Sequence, residues 1–277
     1  MALETTSERR LRMTVGVLMS LVAALWLFPF VWTVISSMKS PAEISSQVWG
    51  LPSGIHWENY VDAFNSLQYV MTLRNSLFVA VSTALLQCVT GTLAAYAFGR
   101  MVFPGRDLLF TLALATLMIP GTLTITGNFL ILRSLGWIDT FWALIIPSSA
   151  SGFSIFLFRQ FFKTIPNELE DASRIDGAGR LRFLAHVAIP LSKPALTTVF
   201  VFTFIGAYNE FLWPLIMTRS MDVRVIQIQL SRLSSEFGLD APAVSMAASA
   251  MVLAPTIVVF SFLQKAFIRG IARTGIR

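Results

Sequence analysis

The chain has 277 residues, 55% of them hydrophobic and only 13% charged, with a formal net charge of +6. A water-soluble domain carries roughly a quarter charged residues, so this composition excludes disorder, a fibrous repeat and an ordinary soluble enzyme. One cysteine, Cys88, and two widely separated histidines, His56 and His186, exclude an intrachain disulfide and a zinc cluster.

A hydrocarbon core about 30 Å thick takes about 20 apolar residues in helix. In chain order, the first such run is 14–36, after Arg9, Arg10 and Arg12. No small-residue cleavage signature follows it, so a retained span is expected rather than a signal peptide. The segment 37–75 holds Trp49, His56, Trp57 and Tyr60 between the breakers Pro41 and Pro52. Its amphipathic stretch at 57–64 suits a membrane interface, and His56 reads as a polar loop residue. Further spans are expected at 76–98, 108–132, 141–158, 195–217 and 243–263. Pro120-Gly121 interrupts the third, where a lost hydrogen bond beside a flexible residue permits either a packing kink or a hinge facing a pathway. Pro29 and Pro255 fall inside the first and last. The fold class is therefore all-α: a polytopic membrane protein with six transmembrane helices.

Charge sorts by side. With a cytoplasmic N-terminus, the inner segments hold 15 of the 21 cations: Arg9, Arg10, Arg12, Arg100, Arg106, Arg159, Lys163, Arg174, Arg180, Arg182, Lys193, Lys265, Arg269, Arg273 and Arg277. Only Lys39, Arg74, Arg133, Arg219, Arg224 and Arg232 fall outside. The positive-inside rule thus predicts both termini in the cytoplasm, and the basic balance needs no nucleic acid to explain it.

The inner segment 159–194 is the most charged of the chain. Pro166 is placed to open a helix, with Glu168, Glu170 and Asp171 in its first turns. Leu169, Ala172 and Ile175 fall on one face, and a charged face is expected outward. Gly177 and Gly179 permit a sharp turn before a second short piece with Leu181, Leu184 and Val187 inward, ended by Pro190 and Pro194. The result is a helical hairpin, lying either on lipid headgroups or against a protein. Four carboxylates, Glu168, Glu170, Asp171 and Asp176, would be repelled by an anionic leaflet, which favours the protein.

In the fifth run, Glu210 is the one acid deep within a predicted span, beside Tyr208, Asn209 and Trp213. A charge there must face the bundle interior or water. Two readings stand: Asn209 and Glu210 line a route for substrate hydroxyls with the aromatics stacking on sugar faces, or they make an interhelical or gate contact.

Several blocks resemble one family. Asp171-Ala172-Ser173, Gly177 and Val187-Ala188-Ile189-Pro190 keep the spacing of the loop shared by inner-membrane subunits of ABC importers, with mild departures at single positions. Phe158-Arg-Gln-Phe-Phe, Arg174-Ile-Asp-Gly-Ala, Tyr208-Asn-Glu-Phe-Leu-Trp-Pro214 and Phe267-Ile-Arg-Gly are similar to the carbohydrate-uptake branch, which holds maltose-type and glycerol-phosphate-type permeases. The likeness runs from about Trp57 to Gly270. It implies a cytoplasmic N-terminus at 1–13, a permease domain at 14–270 with its coupling loop at 159–194, and a tail at 271–277 that departs from the family's usual ending. It implies further that Asp171, Ala172, Ser173 and Gly177, neighboured by Asp176, Arg180 and Phe183, couple to a cytoplasmic ATPase. The implied assembly lies in a bacterial or archaeal plasma (inner) membrane. It has two ATPase subunits, a second homologous permease and an extracytoplasmic solute-binding protein.

The chain holds no Gly-Lys pair, so it has no Walker A loop, and ATP with its Mg would sit on the partners. Catalytic residues are not expected: His-Glu-x-x-His is absent, no histidine lies within a span to serve Ser148, Ser149 or Ser151, and an aspartyl site would need a second intramembrane acid. A proton-coupled secondary transporter using Glu210 is the rival; it leaves the inner hairpin without a task.

Overall fold

The computed structural model describes the backbone of residues 6–237 and 241–274, and side chains of residues 9–233, 235 and 241–262. The Phe267 block, the cations Lys265, Arg269, Arg273 and Arg277, and the whole of the expected tail therefore lie outside the described side chains. Every regular element described is helical. The order is α1 (Thr6–Ser37), α2 (Pro41–Ser46), α3 (Glu58–Ser66), α4 (Tyr69–Arg100), α5 (Arg106–Met118) and α6 (Gly121–Ser134). There follow α7 (Phe141–Ile145), α8 (Gly152–Thr164), α9 (Asn167–Ile175) and α10 (Arg180–Leu191), which has a π-helical stretch at Leu184–Ala188. The last are α11 (Lys193–Asn209), α12 (Leu212–Met217), α13 (Ile226–Phe237) and α14 (Pro242–Thr274).

Among the described residues, three stretches are long and apolar enough to cross a membrane: Arg9–Ser37, Tyr69–Arg100 and Pro242–Phe262. Helix α4, with 32 residues, is about 48 Å long at 1.5 Å per residue, long enough to cross the hydrocarbon with turns to spare. Two helix pairs are apolar and long enough only when taken together, and each is sharply bent: α5 with α6 at 103°, and α10 with α11 at 79°. The expected single run at 141–158 is corrected: it is two short helices, α7 and α8. Pro147 cannot donate to the helical ladder, and Ser151 caps α8 by accepting from the Phe153 N–H at 3.3 Å. Pro29 and Pro255, by contrast, are carried inside unbroken helices.

The chain divides into two compact units. The first joins Met1–Tyr69 to Leu230–Ala254. Its α1 is exposed on all sides over residues 9–31, Trp26 at 73% and Leu18 at 57%, as suits a helix that meets lipid or another subunit. After it the chain ties a polar knot. Lys39 is 1% exposed, donates to the Gln47 and Val48 carbonyls at 3.1 and 2.9 Å and lies 4.8 Å over the Trp32 ring. Asn59 in α3 donates to the Ser37 and Lys39 carbonyls, so the buried cation and its backbone are both satisfied. The hydroxyl of Ser53, with the Ser40 and Ser53 backbone N–H groups, holds the Glu43 carboxyl down from 4.5 to about 2.

The second unit, Val70–Gln229 with Pro255–Arg277, has two apolar clusters. Tyr96, Phe158, Phe162, Phe183 and Leu184 form one, where α4, α8 and α10 meet. Val79, Leu132, Leu144, Met217 and Ile228 form the other. Gly152 opens α8 because a Cβ there would lie 2.5 Å from the Ala113 carbonyl oxygen of α5. Arg159 of α8 is buried by donating to the Phe98 carbonyl at 3.1 Å, pairing with Asp107 at 3.7 Å and stacking 3.9 Å over Phe110.

Candidate functional site

Two features of the second unit carry chemistry: the α9–α10 hairpin and a cleft among broken helices. In the hairpin, α9 ends by a hydrogen-bonding pattern that requires a left-handed residue. The Ala178 N–H donates to the Ser173 carbonyl at 2.9 Å and the Gly177 N–H to the Arg174 carbonyl at 3.0 Å, with Gly177 at φ +75°. No atom crowds a Cβ at Gly177, so glycine is demanded by the backbone alone.

The hairpin is fastened to α4 through charge. Arg100, the last residue of α4, donates to the Ile165 carbonyl and, at 2.5 Å, to Asn167 Oδ1, and lies 3.8 Å from Glu170 Oε2. Glu170 Oε1 accepts from Arg174 at 2.9 Å. The Arg100 and Glu170 side chains are 6% and 11% exposed, so α9 hangs from the end of α4 by a nearly buried ion pair.

This pairing overturns the expected orientation. Leu181, predicted inward, is 71% exposed, and the face of Leu169, Ala172 and Ile175, expected opposite an outward charged one, is exposed too, Leu169 at 42% and Ile175 at 86%. Glu170, predicted outward, is buried. Arg100 supplies the counter-charge that draws Glu170 in, and the 3.6-residue period then turns the apolar stripe out. Leu184 is buried, as expected. Of the residues expected to couple, Asp171, Ala172, Asp176, Gly177 and Arg180 are exposed and Ser173 is half-buried. Phe183 faces the core at 2% exposure, 6.3 Å from the Tyr96 ring, and anchors the second arm.

The cleft forms where three predicted spans break. Its wall is Gly121, Thr122, Thr124, Ile125 and Asn128 of α6, Pro147 and Ser148 between α7 and α8, and Glu210, Leu212 and Trp213 at the α11–α12 break. The cleft is open on one side, with a volume of about 460 Å³. Pro120 is extended (φ −58°, ψ 126°) at the N-terminus of α6. Glu210 is likewise extended after α11, and its Oε1 accepts from the Trp213 N–H of α12 at 3.3 Å. So Glu210 does not lie within a continuous helix, as its sequence suggested; it caps the start of the next one.

The exposed backbone at these breaks is satisfied by side chains of α4 and α12. Gln87 donates to the Ser148 carbonyl at 2.7 Å, and its Oε1 accepts from Ser154 and Thr203, both at 2.9 Å. Thr90 donates to the Ser149 carbonyl at 2.6 Å, and the Trp213 indole N–H to the Ala143 carbonyl at 2.9 Å. Irregular backbone at membrane depth requires such internal partners or water.

Of the four predicted pathway residues, Glu210 and Trp213 line the cleft. Asn209 donates to the Ile205 carbonyl at 2.9 Å and accepts from Gln227 at 3.3 Å. Tyr208 is 1% exposed and stacks on Phe204 with ring centroids 6.0 Å apart. Of the hinge pair, Gly121 lines the cleft and Pro120 makes the break. Sequence reasoning missed Arg100, Glu170, Gln87, Thr122, Thr124 and Asn128. A signal existed for two of them: Glu170 and Arg174 are spaced i, i+4, and Gln87 is an amide inside an apolar run. Among the described residues, no group of three His, Cys, Asp or Glu side chains could hold a metal ion.

With this geometry in hand, residues 87–273 match the family described as binding-protein-dependent transport system inner membrane component. The sn-glycerol-3-phosphate transport system permease protein UgpE of Brucella abortus is 35% identical over 256 residues, covering 89% of this chain and 91% of that protein. UgpE of Yersinia enterocolitica is 33% identical over 274 residues, covering 96% and 97%. A chain in the crystal structure of a bacterial ABC transporter that imports the acidic polysaccharide alginate is similar, with TM-score 0.84. It is 25% identical, and the match covers 96% of this chain and 100% of that one.

Proposed function

The chain belongs to the family of inner-membrane components of binding-protein-dependent transport systems, and from that membership we propose how its parts work. It is a permease subunit of an ABC importer of the carbohydrate-uptake branch, a multi-pass membrane protein and a transport component rather than an enzyme. Family membership supports this reading and not the proton-coupled one. Six spans with both termini in the cytoplasm fit the split of cations, if 141–158 and 195–217 each cross as a pair of short helices.

The α9–α10 hairpin is the docking element for a separate ATPase, which binds the ATP and Mg that this chain has no loop to hold. The carrying observation is the orientation of α9. Its buried side is fastened to α4 by Arg100 and Glu170, while Leu169, Ile175 and Leu181 stand exposed on the other side. An apolar stripe next to charged Asp171, Asp176 and Arg180 suits a protein cleft better than water or headgroups. Motion of the ATPase would enter at that stripe and reach α4 through the ion pair.

The cleft at the three breaks is this subunit's wall of the solute route, since discontinuous helices mark binding sites in transporters. A second homologous permease would supply the opposite wall, and an extracytoplasmic binding protein would deliver a sugar, oligosaccharide, polyol or glycerol phosphate. Two permeases and two ATPases complete the assembly.

Burial of an isoleucine contributes about 1.5–3 kcal/mol to an interface. Ile175→Asp removes that and places a charge against the partner, so the ATPase recovered with the tagged permease should fall at least tenfold while the permease still inserts. Undiminished ATPase recovery with undiminished uptake would contradict the docking assignment.

A further inference from the structure

The charge of the cleft points to the class of solute it passes, and this rests on the cleft being the route. Its polar lining is Thr122, Thr124, Asn128, Ser148 and Glu210, with the Trp213 side chain beside them. Among the described lining residues there is no Lys, Arg or His, and the one full charge is the Glu210 carboxylate.

Several lining groups are already spent inside the chain. The Thr124 hydroxyl donates to the Gly121 carbonyl at 2.8 Å, Asn128 Nδ2 donates to Thr124 Oγ1 at 3.5 Å, and the Trp213 indole N–H is held by Ala143. Glu210 Oε1 accepts one backbone N–H, and its Oε2 has no partner among the described residues. What the wall offers a solute is therefore a carboxylate oxygen that only accepts, the Thr122 and Ser148 hydroxyls, which donate and accept alike, and an apolar ring edge. A solute rich in hydroxyl donors satisfies that wall. A phosphate or carboxylate brings more acceptors and a charge of the same sign as the Glu210 carboxylate.

We propose that this cleft receives an uncharged, hydroxyl-rich solute, held by hydroxyl donation to Glu210, and turns away phosphorylated or carboxylated ones. The sugar, oligosaccharide or polyol alternatives are thereby favoured over glycerol phosphate.

The test uses the assembled transporter in nanodiscs, with Cys88→Ser and Thr124→Cys. A trimethylammonium-bearing and a sulfonate-bearing methanethiosulfonate are compared, each rate divided by its rate with a free thiol. The corrected cationic rate should exceed the anionic one at least tenfold, and Glu210→Gln should bring the ratio to within about twofold of unity. Maltotriose and raffinose are then tried as protectants against glycerol 3-phosphate and trigalacturonate; protection by at least one uncharged sugar and by neither anion is expected. A ratio near unity, a ratio unmoved by Glu210→Gln, protection by an anion, or protection by no sugar would each overturn the selectivity. No labelling by either reagent would instead show that the cleft is not an aqueous route, and would overturn the pathway reading on which the selectivity rests.

Discussion

Gly177 shows how a single backbone angle supports a machine. Its φ of +75° closes α9, and open space surrounds the position a Cβ would take. Substitution therefore tests conformation without steric clash. Asparagine tolerates the left-handed region, whereas a bulky side chain pays about 1–2 kcal/mol there. Gly177→Asn should keep most uptake, and Gly177→Leu should cut it several-fold with the ATPase still turning over. Equal uptake in the two variants, measured at equal membrane abundance, would show that the turn geometry is not what matters. Asp139 illustrates the same economy on the linker between α6 and α7. Burial pushes its carboxyl up, but the Arg219 and Ser220 backbone N–H groups, accepted at 2.7 and 2.9 Å, leave it below the usual range.

Elements were legible where periodicity or composition was strong and illegible where a distant partner decided. The apolar runs of α1, α4 and α14 announce themselves, because lipid demands about 20 apolar residues whatever they pack against. Pro120-Gly121 marked the α5–α6 break for the same local reason. The face of α9 was misread: amphipathicity says that one side differs from the other, not which side the rest of the chain will take. Arg100, far away in sequence, made that choice by burying Glu170. The interruption at Pro147 was passed over because its neighbours are apolar enough to extend a span, and the Gln87 and Thr90 bonds that make the break tolerable link residues about 60 positions apart. Glu210 was found by its charge but placed in the wrong backbone, since nothing local said that α11 would end there. The buried pair yields a prediction at this scale. Removing one member of a nearly buried ion pair strands the other and costs on the order of 3 kcal/mol. Glu170→Gln should thus loosen α9 from α4: amide exchange across 167–175 should speed at least tenfold, and uptake should drop more than ATP hydrolysis does. Unchanged exchange would mean that Arg100 holds α9 through Ile165 and Asn167 alone.

For the molecule as a whole, the hairpin and the cleft belong to one compact unit and share α4. Arg100 at the end of that helix grips the hairpin, and Gln87, some three and a half turns before it, holds the carbonyl of Ser148 behind the cleft. A displacement of α9 therefore has a short route to the proposed solute wall, through the Arg100 contacts, the α4 backbone and the Gln87 hydrogen bond. The most direct test is the reactivity of Thr124→Cys, in a Cys88→Ser background, in the complete transporter with and without trapped nucleotide. If the hairpin conveys nucleotide-driven motion to the cleft, the labelling rate should change at least tenfold on trapping, and Gly177→Leu should erase the difference. The same rate in both nucleotide states, in a complex that still imports solute, would contradict the account.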